Sequence, residues 1–98
     1  MARLIYSAQA LADLERLTNF LIDTEPAAAL ETAVLISEAV QVLGNHPLIG
    51  HPAEHHMREL LISRGRTGYV ALYSYEEQHD TVLVLAVRHQ RESGYAPE

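Results

Sequence analysis

The sequence predicts an α+β domain in the order β-α-α-β-β-β, an antiparallel sheet with a helical hairpin packed on one face. Three observations lead there. Apolar residues recur with a helical period through the first half, the period changes to short β-prone runs after residue 57, and neighbouring runs are joined by short links. A length of 98 residues with 48% hydrophobic content suits one core of ordinary size, so a single domain over residues 1–98 is expected.

Arg3 to Tyr6, "RLIY", is a short β-prone run, and Ser7 follows as a helix N-cap. In "AQALADLERLTNFLID" Leu11, Leu14, Leu17 and Leu21 recur at helical spacing. They form one apolar stripe and leave Asp13, Glu15, Arg16 and Asn19 on the solvent side. Thr24 and Pro26 restart the chain, because proline is tolerated in a helix's first turn. A second helix is expected from about Glu25 to Leu43, with Leu30, Ala33, Val34, Ser37, Val40 and Leu43 on one face. Gly44 and Asn45 supply the stop and Pro47 prevents resumption. So short a link between the helices makes an antiparallel hairpin.

"HPLIGHPAEHHM", His46 to Met57, is too rich in Pro, Gly and His for regular structure. Strands follow at 57–63, 69–75 and 81–89, joined through "RGRTG" and "EEQHD", and three consecutive strands with short links form an antiparallel meander. In the last strand strict alternation turns Val82, Val84 and Ala86 one way and Leu83, Leu85 and Val87 the other. Both faces are apolar, yet one hairpin covers one of them. Either the C-terminal tail or the 46–57 loop covers the second face, or that face is a docking surface.

Charge and composition exclude whole classes of function. Seven arginines, no lysine and thirteen carboxylates leave a formal charge of −6. A protein that held nucleic acid by neutralising phosphates would carry the opposite sign, so no direct nucleic-acid binding is expected. There is no cysteine, which removes disulfide and thiolate chemistry and fits a reducing cytoplasm. The N-terminus turns acidic before any apolar run of signal length, so neither a secretory nor a transmembrane segment is expected.

Three constellations bear on chemistry. His46, His51, His55 and His56 crowd one segment, and the spacing of His51 and His55 would suit two metal ligands on a helix. Pro47 and Pro52 break that helix, and Glu54 alone could complete the set, so a surface loop is the better reading and neither metal nor cofactor is expected. Arg58, Arg64, Arg66, Arg88 and Arg91 gather in the C-terminal half, against a helical layer rich in carboxylates. Arginine forks in such a series suit carboxylates on a partner as well as phosphates. The plain account pairs Arg58 with Glu59 or Glu92 and leaves the rest solvated. Finally, His89 and Tyr95 with Arg88 and Arg91 supply the residue types for RNA cleavage by 2′-hydroxyl attack: a base, an acid and a cation on the phosphate.

With that element order, "MRELLISRGRTGYVALYSY", "LGNHPLIGHP" and "VLVLAVRHQRESGY" together make the chain resemble the ParE/RelE superfamily of type II toxin–antitoxin toxins over nearly its whole length. The resemblance implies a toxin, sometimes tied to plasmid stabilisation, that forms a hetero-oligomer with a cognate antitoxin. It implies one of two activities: RelE-like members cut messenger RNA in the ribosome, and ParE-like members poison DNA gyrase. The nuclease branch usually carries an arginine after the "GY" of the middle strand; here Val70 follows Gly68 and Tyr69. The tail position of a catalytic arginine holds His89, while Tyr95 matches the family's terminal tyrosine. A net charge of −6 without lysine favours the ParE-like branch, a gyrase inhibitor working by contact and not an enzyme. On that branch Arg58, Arg64, Arg66, Arg88, His89, Arg91 and Tyr95 are the residues that touch target or antitoxin. On the other, His89, Arg88, Arg91 and Tyr95 form the catalytic set of an endoribonuclease. A degenerate, non-toxic interaction module is the third possibility.

Overall fold

A computed structural model describes residues 1–64 and 67–96, Arg64 and Thr67 through their backbone. Ser7 caps the first helix as its residue type requires: the Ala10 N–H donates to Ser7 Oγ at 3.0 Å. The chain runs β1 (Arg3–Tyr6), α1 (Ala8–Ile22), α2 (Pro26–Asn45), β2 (His51–Pro52), β3 (Arg58–Arg64), β4 (Thr67–Glu76) and β5 (Thr81–His89). The two helices form the expected hairpin, and β3, β4 and β5 the expected meander.

Two features go beyond the expected antiparallel sheet. β1 pairs with β5 in parallel, Arg3 opposite Thr81 to Tyr6 opposite Val84, so the sheet is mixed, in the order β1-β5-β4-β3-β2. The hairpin carries the chain from β1 to the far edge of the sheet, and the strands β2 to β4 bring it back to β5, which supplies the long connection that a parallel pair needs. The 46–57 segment, expected to be irregular, contributes the two-residue strand β2, paired with Arg58 and Glu59, and a 3₁₀ turn at Glu54–His56. Arg58 organises it, donating from one guanidinium nitrogen to the carbonyls of Leu48 (3.0 Å) and Gly50 (2.8 Å).

The core lies between the sheet and one face of the hairpin. Ile36, Val40 and Leu43 of α2 are fully buried against Ala71, Tyr73, Val82, Val84 and Val87 of the sheet. The buried face of α2 runs through Ala29, Thr32, Ile36, Val40 and Leu43. Leu30 and Val34, expected inside, are 67% and 44% exposed. The helix is apolar around most of its circumference, so two stripes compete and periodicity alone does not choose between them. Among the described residues α2 is the helix long and apolar enough, by length and composition, to cross a membrane; its inner stripe in this core accounts for much of that composition.

Strict alternation along β5 fails at Leu85. Tyr73 pairs with Val84 and Leu72 with Ala86, so Leu85 is an extra residue, a β-bulge. Beyond it the faces are offset from the expected pattern: Val82, Val84 and Val87 face the helices, and Ala86 faces away. Here β1 has also ended, and α1 side chains take its place along the β5 edge. Ser7 Oγ donates to the Leu85 carbonyl at 2.9 Å, and the Val87 N–H donates to Asp13 Oδ2 at 2.9 Å. Asp13, expected on the solvent side, is therefore 1% exposed. A buried strand N–H needs an acceptor, and this carboxylate is it.

Candidate functional site

The bulge decides where the polar end of β5 points. His89 pairs with Tyr69 on the helical face, and Arg88 pairs with Val70 on the far face. The two neighbours therefore serve different surfaces.

On the far face the chain after β5 folds back over the sheet. Arg88 holds that return, one nitrogen lying within 3.4 Å of the carbonyls of His89, Gln90 and Glu92. Its guanidinium sits 5.1 Å from the centre of the Tyr95 ring. The Tyr95 hydroxyl donates to Glu59 of β3, so the side chain bridges β5 and β3 across β4. Val70 and Ala86, which point away from the helices, are buried. The tail thus covers the part of the second apolar face nearest Tyr95, while Leu61 of β3 remains exposed. Burial, together with the hydrogen bond and negative charge of Glu59, raises the Tyr95 hydroxyl well above the ordinary tyrosine range, with Arg88 opposing. That phenol keeps its proton at any physiological pH.

On the helical face His89 makes an edge contact with Tyr69, ring centres 5.3 Å apart. The Arg91 N–H donates to His89 Nδ1 at 3.1 Å, so the neutral ring carries its own proton on Nε2. His89 lines a cavity of about 710 Å³ at the turn end of the hairpin, together with Arg16, Phe20, Glu25, Tyr69 and Glu92. Glu92 closes one wall. It accepts from Arg16 at 3.0 Å and from the His89 N–H at 2.8 Å. Partial burial pushes its carboxyl up, but the His89 N–H and the hydrogen bonds and charge of Arg16 outweigh it, and the net shift is downward.

A lowered carboxyl pKa means that the unfolded chain takes up the proton first as pH falls. The Arg16–Glu92 clasp therefore stabilises the fold above the ordinary carboxylate range near pH ~4, and the contribution is lost as pH falls through the lower folded value. The melting temperature of Glu92→Gln is expected to fall below that of the parent at pH 7, and the gap is expected to narrow as pH falls below the ordinary carboxylate range. A gap unchanged over that range would refute the clasp.

The remaining residues singled out in the sequence disperse. Arg58 supports the 48–50 segment and pairs with neither Glu59 nor Glu92; those carboxylates hold Tyr95 and Arg16 instead. The Arg91 side chain is exposed. Arg64 ends β3, and Arg66 lies outside the described residues. His46, His51, His55 and His56 are all exposed, and no group of three or more metal-ligating side chains occurs among the described residues. Sequence reasoning passed over Arg16, Glu92 and Phe20. Arg16, the single cation of the helical layer, was the signal available for the first.

A third surface is the open side of the hairpin. Tyr6, Leu11, Leu14, Ala33, Val34 and Ser37 line a shallow groove of about 400 Å³, and Leu30 and Ile22 are exposed on the same helices. It lies along the stripe expected to be core, and none of the described residues covers it.

Comparison with known proteins agrees with this architecture. The structure resembles that of the chromosomal ParDE toxin–antitoxin system from P. aeruginosa, with a TM-score of 0.75 at 22% identity over 91% of this chain and 96% of that one. It also resembles the RelBE2 toxin–antitoxin complex from Mycobacterium tuberculosis, with a TM-score of 0.63 at 24% identity over 93% of each chain. In sequence it is 33% identical over 84 residues to Toxin RelE3 of Caulobacter vibrioides, covering 86% of this chain and 89% of that protein. Residues 4–94 match the family model of the ParE toxin of type II toxin–antitoxin systems. The chain belongs to the ParE toxin family.

Proposed function

We propose that this chain is a cytoplasmic toxin which inhibits DNA gyrase by protein–protein contact and is neutralised by a cognate antitoxin. The observation that carries the reading is the separation of His89 and Tyr95 on opposite faces of the sheet. A base and an acid for RNA cleavage must meet one phosphate, within hydrogen-bond reach of the atoms they serve. Here Tyr95 is spent on Glu59, and Arg88 on Tyr95 and three carbonyls. A charge of −6 also gives no long-range attraction to a ribosome. The hairpin groove at Leu11 and Val34 suits an amphipathic antitoxin segment that folds as it binds. Purified gyrase, assayed for supercoiling with and without this protein, tests the reading. Inhibition at a near-stoichiometric ratio, relieved by the antitoxin, is expected; full supercoiling at large excess would end it.

A second reading is supported by the relative named Toxin RelE3 and by His89 lining a cavity with Arg16. It predicts cleavage of messenger RNA in translating ribosomes, lost on His89→Ala. Intact transcripts after induction would dispose of it.

A further inference from the structure

We propose that the cavity beneath the hairpin turn is a small-molecule site, separate from the groove at Leu11 and Val34, whose ligand is an uncharged ring compound bearing a carbonyl. Its volume of about 710 Å³ lies within the range of roughly 300–1,000 Å³ typical of ligand pockets. Leu17, Leu21, Ala28 and Leu35 make an apolar interior, and Phe20 presents an exposed ring at the mouth. Charge does not set the occupant. Glu92 is neutralised by Arg16 at 3.0 Å, Arg16 also meets Asp13 at 3.6 Å, Glu31 has a partner of its own, and Glu25 is exposed to water. Among the described residues a charged ligand of either sign finds no unspent partner inside, and it would shed its hydration without compensation. An uncharged ligand avoids that cost.

Hydrogen-bond donors select the ligand instead. Thr32 and Tyr69 both line the cavity, 7% and 4% exposed, and their hydroxyls lie 3.3 Å apart. Two hydroxyls carry two protons, and the bond between them uses one. The hydroxyls of Thr18 and Ser37 return to carbonyls of their own helices, at 2.9 and 3.4 Å; that of Thr32 does not. No other acceptor for the Thr32–Tyr69 pair occurs among the described residues, so one buried O–H is left over. A buried donor is costly until an acceptor meets it. A second donor stands beside the first. With Nδ1 occupied by the Arg91 N–H, the neutral His89 ring offers Nε2–H, and its edge contact with Tyr69 at 5.3 Å keeps the two donors neighbours. A carbonyl oxygen, with two lone pairs, accepts from such donors, and a ring attached to it fits the leucines and Phe20.

This site goes beyond the reading of the chain as a gyrase inhibitor, and the outcome of the supercoiling assay does not bear on it. Three probes of similar size test it: acetophenone, which carries the carbonyl, ethylbenzene, which lacks it, and benzoate, which is charged. Each is titrated into the full chain while the His89 and Phe20 ring resonances are followed by NMR. Acetophenone should shift both rings and bind about fivefold or more tighter than either of the others, although ethylbenzene is the more apolar. The double variant Thr32→Val/Tyr69→Phe replaces both partners by apolar groups of the same shape, so its melting temperature should stay near the parent's. Its affinity for acetophenone should fall roughly tenfold. Each single variant keeps one hydroxyl and should lose less than about threefold. Ethylbenzene binding as tightly as acetophenone would show a merely apolar hollow, and benzoate doing so an anion site; either overturns the proposal. Absence of acetophenone binding, or binding that leaves His89 unmoved, overturns it too. So does full affinity in the double variant. Should that variant fail to fold, the ranking of the three probes on the parent chain decides alone.

Discussion

Asp13→Ala is expected to destabilise this domain by about 3 kcal/mol, the cost of leaving a buried strand N–H without its acceptor and opening a small void. For a domain of this length that corresponds to a fall of roughly 12–24 °C in melting temperature. The reason is local. β1 accompanies β5 up to Val84, and the Val87 N–H beyond it has Asp13 Oδ2 as its acceptor at 2.9 Å. Asp13 Oδ1 accepts from Gln9 at 2.9 Å, so both carboxylate oxygens are engaged within a nearly inaccessible site. Asp13→Asn keeps an acceptor for Val87 and should lose about 1 kcal/mol. Thermal unfolding of the two variants decides the matter, since equal losses would show that packing around Asp13, and not its bond to Val87, is what counts.

The same residue shows where the sequence could be read and where it could not. Element order, the Ser7 cap and the limits of β5 follow from local chemistry: hydroxyl capping, proline in the first turn, and a run of β-branched and aliphatic residues. Asp13 obeyed the helical wheel of α1 only if that wheel ended at solvent, but a strand edge lies there instead. A buried acceptor for a long-range backbone donor leaves no trace in amphipathic periodicity. The inner face of α2 was hidden for the opposite reason, because apolar residues surround that helix and the open stripe at Leu30 and Val34 is as hydrophobic as the buried one.

The candidate site was legible in its residue types and illegible in its geometry. Arg88, His89 and Tyr95 are near neighbours in sequence, and strict alternation already puts Arg88 and His89 on different faces. One extra residue at Leu85 then decides which face each receives, and a bulge has no sequence signature as plain as a glycine turn. Tyr95 reaches Glu59 because the tail turns back after Gln90, and that turn is held by carbonyl contacts to Arg88. The arginine that looked like a phosphate ligand holds this chain's own tail.

Gly50→Ala should be nearly as damaging, at about 2–3 kcal/mol or roughly 10–20 °C in melting temperature. A Cβ on Gly50 would stand 2.7 Å from the Glu59 carbonyl and 2.7 Å from both Cε1 and Oη of Tyr73. Neither neighbour can retreat, because Glu59 is held in the β2–β3 pairing and Tyr73 is completely buried. Tyr73 Oη also accepts the Gly50 N–H at 2.9 Å, so Tyr73→Phe alone orphans that N–H and should cost about 1–2 kcal/mol. The pair then separates strain from bonding. Phenylalanine removes one of the atoms that the new methyl meets, so the double variant should lose less than the sum of the single losses, by about 0.5–1 kcal/mol. Strict additivity in urea unfolding would mean that the clash with the Glu59 carbonyl dominates, and that Tyr73 is a core side chain whose hydroxyl does not set the position of the 48–50 segment.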